Sequence, residues 1–225
     1  MAGLLAVAAS GCTTAQPSVT PSIEPTPGAT ASATPTASPS PIFLTWPTDS
    51  AIELAGGRYA SAPPFDVPFT IDIPAGQGWG SAHLHGEFFD FVNVTEIGVQ
   101  PTRWVAFAHP ESIYGMEAAS STGLSPRAAA ELLAGLDDVV AGPISEATLV
   151  GLGGVRLDLA TGFPNVHLFG GPGGQFTLDP DYELRLMLLP HDAHDDLLLV
   201  LVLAPHGELD AAWAEVQPIL DTIEF

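Results

Sequence analysis

Two apolar runs near the C-terminus, Tyr182–Leu189 and Leu197–Ala204, restrict the fold more than any other feature of the chain. The second is bounded by Asp196 and Pro205. It is too short to span a bilayer, which takes about twenty apolar residues in a helix. A Leu/Val run of this length between turn formers reads as a strand buried on both faces. The short connection between the runs predicts an antiparallel hairpin.

Shorter elements fit around that hairpin. Gly56–Ala60 reads as an entry strand. Val67, Phe69, Ile71 and Ile73 alternate with Pro68, Thr70 and Asp72, the pattern of a half-buried strand, and Pro74–Trp79 reads as a turn. Leu84–Val94 and Trp104–Ala108 read as two strands joined through Gly98 and Pro101. Ala147–Val150 and Val155–Leu159 flank a glycine turn, Gly151–Gly154. Val166–Phe169 is a further strand, followed by a Gly170–Gly174 loop. A helix opens at Ser125 and Pro126, because serine suits the cap and proline the first turn. Leu132, Leu133 and Leu136 form its apolar side. A second helix carries Leu209, Ala212, Trp213, Val216 and Leu220 on one face, with Pro218 expected to kink or end it. Ile223 and Phe225 suggest a last short strand. Strands in runs with two separated helices predict an α+β fold, an antiparallel sheet flanked by helices.

The N-terminus tells of location. The chain's single cysteine, Cys12, ends a short apolar run and follows Ala9, Ser10 and Gly11. This resembles the lipobox of bacterial lipoproteins, in which the cysteine is acylated and becomes the new N-terminus. Residues 1–12 are therefore expected to be a lipoprotein signal peptide, although the n-region offers no basic side chain. From Thr13 to about Pro41 the chain is almost entirely Thr, Ser, Pro and Ala. Such a segment buries too little apolar surface to offset its ordering entropy, so residues 13–50 read as a disordered linker. Residues 51–225 read as one domain. These segments place the protein on the extracytoplasmic face of the cell membrane, with the lipid on Cys12 as its link to the bilayer.

Composition excludes several functions. Lys and Arg together number 5, all of them Arg, against 26 acidic residues, for a formal charge of −21. Nucleic acid is excluded as a partner, because phosphate binding needs a basic patch. Without lysine there is no Schiff base, no Ser-Lys dyad and no Walker A loop. With Cys12 acylated there is no cysteine nucleophile and no disulfide. No Gly-x-Ser-x-Gly elbow occurs, and the glycine clusters lead into no helix.

The candidate chemistry is histidine chemistry. His191 and His194 are interleaved with Asp192, Asp195 and Asp196 at the tip of the apolar hairpin. Imidazoles at this spacing beside carboxylates suit a divalent metal. A solvated, Asp-rich turn explains the same residues and is the simpler account. His83, His85 and Glu87 share one face of an extended strand, which suits either a metal or the wet side of a sheet. His109 or His167 would complete a three-histidine site if the sheet brings the strands together. Arg103 and Arg185 sit within strands and are expected to partner the domain's own acids. The four tryptophans read as core and boundary aromatics.

The order of elements resembles a known family. Its carriers are the run Val67-Pro-Phe-Thr-Ile-Asp-Ile-Pro-Ala-Gly76 with Gly78-Trp79, the hairpin Val150-Gly-Leu-Gly-Gly-Val-Arg-Leu-Asp-Leu159, and the end from Trp213 to Phe225. Together they are similar to exported lipoproteins and small domains of the Mog1/PsbP-like fold, over about Gly56 to Phe225. The resemblance implies an α/β/α sandwich and an accessory or binding role without catalysis. It carries over no site residues. The partner is then a protein or envelope component, and no cofactor is expected. The alternative is a metal-binding protein or metal-dependent enzyme using His83, His85, His191 and His194.

Overall fold

The computed structural model describes residues 40–225 except 44–51, 62, 64, 66, 82–87, 94–102, 115–118, 172–173 and 192–195. The N-terminal unit, Met1–Ser38, is not described, so Cys12 and its flanking residues lie outside the described residues.

In chain order the first strands are β1 Ile42–Phe43, β2 Ile52–Glu53, β3 Gly57–Ala60, β4 Thr70–Ile73 and β5 Trp79–Ser81. Next come β6 Phe88–Asn93, β7 Trp104–Ala108, β8 Ser112–Ile113, β9 Ala119–Ser120 and helix α1, Pro126–Ala134. The C-terminal part contains β10 Val139–Ala141, β11 Ser145–Leu149, β12 Leu152–Thr161, β13 Val166–Gly171 and β14 Gly174–Leu178. It closes with β15 Tyr182–His191, β16 Asp196–Pro205 and helix α2, Leu209–Leu220.

The fold is α+β, an antiparallel sheet flanked by helices. The central sheet is nine-stranded, ordered β10-β12-β15-β16-β7-β6-β5-β2 with β11 also on β12. A three-stranded sheet, β1-β3-β4, and a four-stranded sheet, β14-β13-β8-β9, lie outside it. Among the described residues every strand pairing is antiparallel except β1 with β3.

The apolar runs form the expected hairpin, paired from Tyr182 and Pro205 to His191 and Asp196. Alternate residues of β16 enter different cores, because successive side chains point to opposite faces. Leu198, Val200 and Val202 join Ala212, Val216 and Leu220 of α2, together with Tyr59, Phe69 and Ile71. Leu197, Leu199 and Leu201 join Ala129, Ala130 and Leu133 of α1, together with Leu168 and Phe176. The two helices therefore cover opposite faces of the hairpin. The ring stack Trp104–Phe176–Phe169, with centroids 5.4 and 4.8 Å apart, fastens the four-stranded sheet to the second core.

Local chemistry explains the ends of these elements. The Ser125 side chain accepts a hydrogen bond from the Ala128 amide and caps α1, an interaction worth about 1 kcal/mol. Helix α2 runs two residues beyond Pro218. The turn between β11 and β12 is tighter than the glycine spacing suggests. Val150 and Gly151 occupy it at φ 48° and 85°, the positive pair a two-residue hairpin turn requires. Gly153 and Gly154 belong instead to β12. A Cβ on Gly154 would sit 2.1 Å from the Leu188 carbonyl oxygen, so glycine here admits the close approach of β15. The expected C-terminal strand shortens to a bridge in which Thr70 and Glu224 exchange backbone hydrogen bonds of 2.8 and 3.0 Å.

Candidate functional site

Chemistry-bearing side chains gather at opposite ends of the β15–β16 hairpin. At its tip, three adjacent strands bring sequence-distant groups together. His191 is the register partner of Asp196, and His109 follows Ala108, whose partner on β16 is Leu199. His109 Nε2 stands 3.4 Å from Asp196 Oδ2, and both side chains are 15% exposed. The rings of His109 and His191 lie 5.7 Å apart between centroids. Asp196 Oδ1 is buried without a hydrogen-bond partner. His109, named as a possible third ligand, thus joins His191, whereas His83, His85 and His194 lie outside the described residues. His167 is exposed on β13, in a different sheet, with its ring beside Tyr114. Among the described residues, no three His, Cys, Asp or Glu side chains are arranged to hold a metal ion.

The base of the hairpin holds a cleft of about 340 Å³ whose lining includes Asp158, Glu183, Arg185, Leu209 and Asp210. Its position follows from the sheet. Helix α2 packs over β15 and β16, and the cleft opens where its first turn meets β12 and the edge strand β10. Val140 of that edge strand is 71% exposed at the cleft's rim.

Arg185 organises this cleft. The register places it directly opposite Asp158, a favourable cross-strand pair. Its Nε donates to Asp158 Oδ1 at 2.8 Å and its Nη2 to Asp158 Oδ2 at 2.7 Å, a two-pronged geometry that suits a guanidinium. Nη2 also donates to Asp210 Oδ1 at 2.9 Å. The guanidinium carbon lies 5.4 Å from the Trp213 ring centre. Hydrogen bonding to Asp158 outweighs the cost of burial and holds Arg185 protonated, its pKa raised above the ordinary arginine value. Glu183 accepts from the Gly207 amide at 3.2 Å and stands 3.0 Å from His206 Nδ1.

Both arginines named from the sequence partner the domain's own acids, Arg185 as above and Arg103 through Glu215. Trp79 is buried, Trp104 and Trp213 pack on the two cores, and Trp46 lies outside the described residues. The cleft itself is not readable from the sequence, since Asp158, Arg185 and Asp210 are scattered along the chain. The one signal was an arginine set in an apolar strand, which needs a carboxylate partner.

Elsewhere, Arg58 bonds Asp72 through two nitrogens at 2.9 and 3.2 Å, which holds the Asp72 carboxyl below its ordinary value. Among the described residues no helix is long and apolar enough to cross a membrane.

No protein-family model and no curated protein matches the chain. Among solved structures it is similar to a Bacteroides thetaiotaomicron VPI-5482 protein, at 13% identity and a TM-score of 0.42, over 76% of this chain and 48% of that one. The chain thus spans about half the length of that protein. It is also similar to cyanobacterial PsbP (CyanoP) of Synechocystis sp. PCC 6803, at 11% identity and a TM-score of 0.41, covering 77% of this chain and 94% of that one. A third similarity is to the Ran-binding protein Mog1p of Saccharomyces cerevisiae, at 12% identity and a TM-score of 0.40, covering 69% and 89% respectively.

Proposed function

We propose that this protein is a lipid-anchored, extracytoplasmic accessory protein that works by binding and not by bond chemistry. The observation that supports this reading is the state of the charged groups in the Arg185 cleft. Arg185 is tied to two carboxylates and held protonated. A group held in this way offers charge and directed hydrogen bonds, but no lone pair for proton abstraction or attack. The attachment rests on Cys12 and the residues before it. The Thr/Ser/Pro/Ala tether gives a reach on the order of 90 Å if extended. The formal charge of −21 turns such a domain toward a protein or envelope component and away from nucleic acid and anionic lipid. Membrane fractionation with fatty-acid labelling tests the anchor. The native chain should be labelled and sediment with membranes, and Cys12→Ala should be neither labelled nor retained. Turnover of any substrate in a hydrolase panel, abolished by a single substitution in the cleft, would overturn the non-catalytic half.

A second reading is a divalent-metal protein; His109 lies 3.4 Å from Asp196 Oδ2 and beside His191, and Asp196 Oδ1 is buried without a partner, although these three are not arranged to hold an ion by themselves. His83, His85 and His194 would then supply further ligands. Metal analysis of the purified chain separates the two readings. Stoichiometric metal lost in Asp196→Asn or His85→Ala supports the second, and a metal-free chain removes it.

A further inference from the structure

The Arg185 cleft carries more than a general capacity to bind. Three carboxylates, those of Asp158, Glu183 and Asp210, face one guanidinium, so the cleft is net negative. The Arg185 side chain is 7% exposed, yet its Nη1 donates to none of the described residues, since every hydrogen bond it makes leaves from Nε or Nη2. Arg185 lines the cleft, and since Nη1 is not a buried orphan, this donor is open to solvent. Asp210 is 94% exposed and gives Arg185 one oxygen. Val140 and Leu209 add apolar surface.

We propose that this cleft binds a small organic cation that also carries a neutral hydrogen-bond acceptor, the chemistry of a protonated amine beside a carbonyl or hydroxyl. The ammonium group sits against Asp210 and Glu183, where negative charge is in excess. The acceptor takes the free Nη1 hydrogens, and the carbon chain between them lies on Val140 and Leu209. An anion reaching Nη1 would stand beside Asp158 and Asp210, and like charges at that range in a half-buried site repel. A neutral acceptor escapes that repulsion. At about 340 Å³ the cleft has room for a molecule of amino-acid size.

The proposal rests on the binding reading above. Its failure would leave that reading standing, because membrane attachment and turnover are measured separately. The test is calorimetric titration of the purified full chain with L-lysinamide, with L-glutamate and propionamide as anionic and neutral controls. Saturable binding of lysinamide is expected, weakening with added salt. Asp210→Asn changes an exposed side chain and should weaken it about three- to fivefold while the melting temperature holds. Val140→Arg, which sets a cation at the exposed rim, should weaken it by at least as much. No saturable binding at millimolar lysinamide, equal affinity in both variants, or glutamate binding as tightly would each overturn the proposal.

Discussion

The base and the tip of the β15–β16 hairpin are built from the same two ten-residue strands, yet they hold their charged groups in different ways. At the base, Asp158 is met by a guanidinium through two parallel hydrogen bonds. At the tip, Asp196 is met by an imidazole at 3.4 Å, and one of its oxygens is buried without a partner. Arginine stays charged across the pH range of a folded protein, so the guanidinium side of the pairing at the base does not switch. At the tip the approach of His109 to Asp196 is longer, 3.4 Å. Burial alone does not separate the two ends. The geometry of the pairing does: the base holds its carboxylate at two points, whereas the tip leaves one carboxylate oxygen without a partner.

Arg185→Ala tests that contrast most severely. It leaves Asp158 without its counter-charge and strips the packing from Trp213, and should cost about 2–3 kcal/mol in urea unfolding, at or below the low end for a fully buried pair because Asp158 is 35% exposed. A loss below about 1 kcal/mol would mean that the base is no firmer than an ordinary surface pair. Gly154→Ala should cost about 2 kcal/mol, because its methyl meets the Leu188 carbonyl and β12 must shift against β15. That shift disturbs the strand pairing that aligns Asp158 with Arg185, so it should also weaken binding at the base. Asp196→Asn at the tip should change stability by less than about 1 kcal/mol at neutral pH, read in the same urea titration. A larger loss would show that the tip is as firmly paired as the base.

The smallest effect concerns Tyr182, at the base. Burial, with Asp181 and Asp179 nearby, raises its phenol above the ordinary value. The folded state therefore holds this proton after the unfolded chain has released it, and stability falls as pH rises past about 10. Tyr182→Phe should remove that part of the alkaline loss in a pH series of thermal melts. An unchanged alkaline limb would count against the burial of this group.

The hairpin and both helices are legible from the sequence because each carries a long, unambiguous signal. The apolar runs have the length of buried strands, Ser125 and Pro126 announce a helix start, and Leu209 to Leu220 keeps its apolar residues on one face. Strands β8 and β9, of two residues each, have no such pattern, since they exist through pairing with neighbours. Strand β14 was hidden because Gly174 reads as the end of a loop. The cleft is illegible for a different reason. Asp158 and Arg185 lie 27 residues apart, and their meeting depends on the register of β12 against β15, which the packed sheet sets. The meeting of His109 with His191 likewise needs β16 to lie between their strands.

The most direct test of the account is amide and indole chemical-shift mapping of the labelled full chain titrated with L-lysinamide. The account predicts saturable shifts at Glu183, Gly207, Asp210 and the Trp213 indole, with His109, His191 and Asp196 unmoved. Shifts confined to the tip, or no saturable shift at either end, would contradict it.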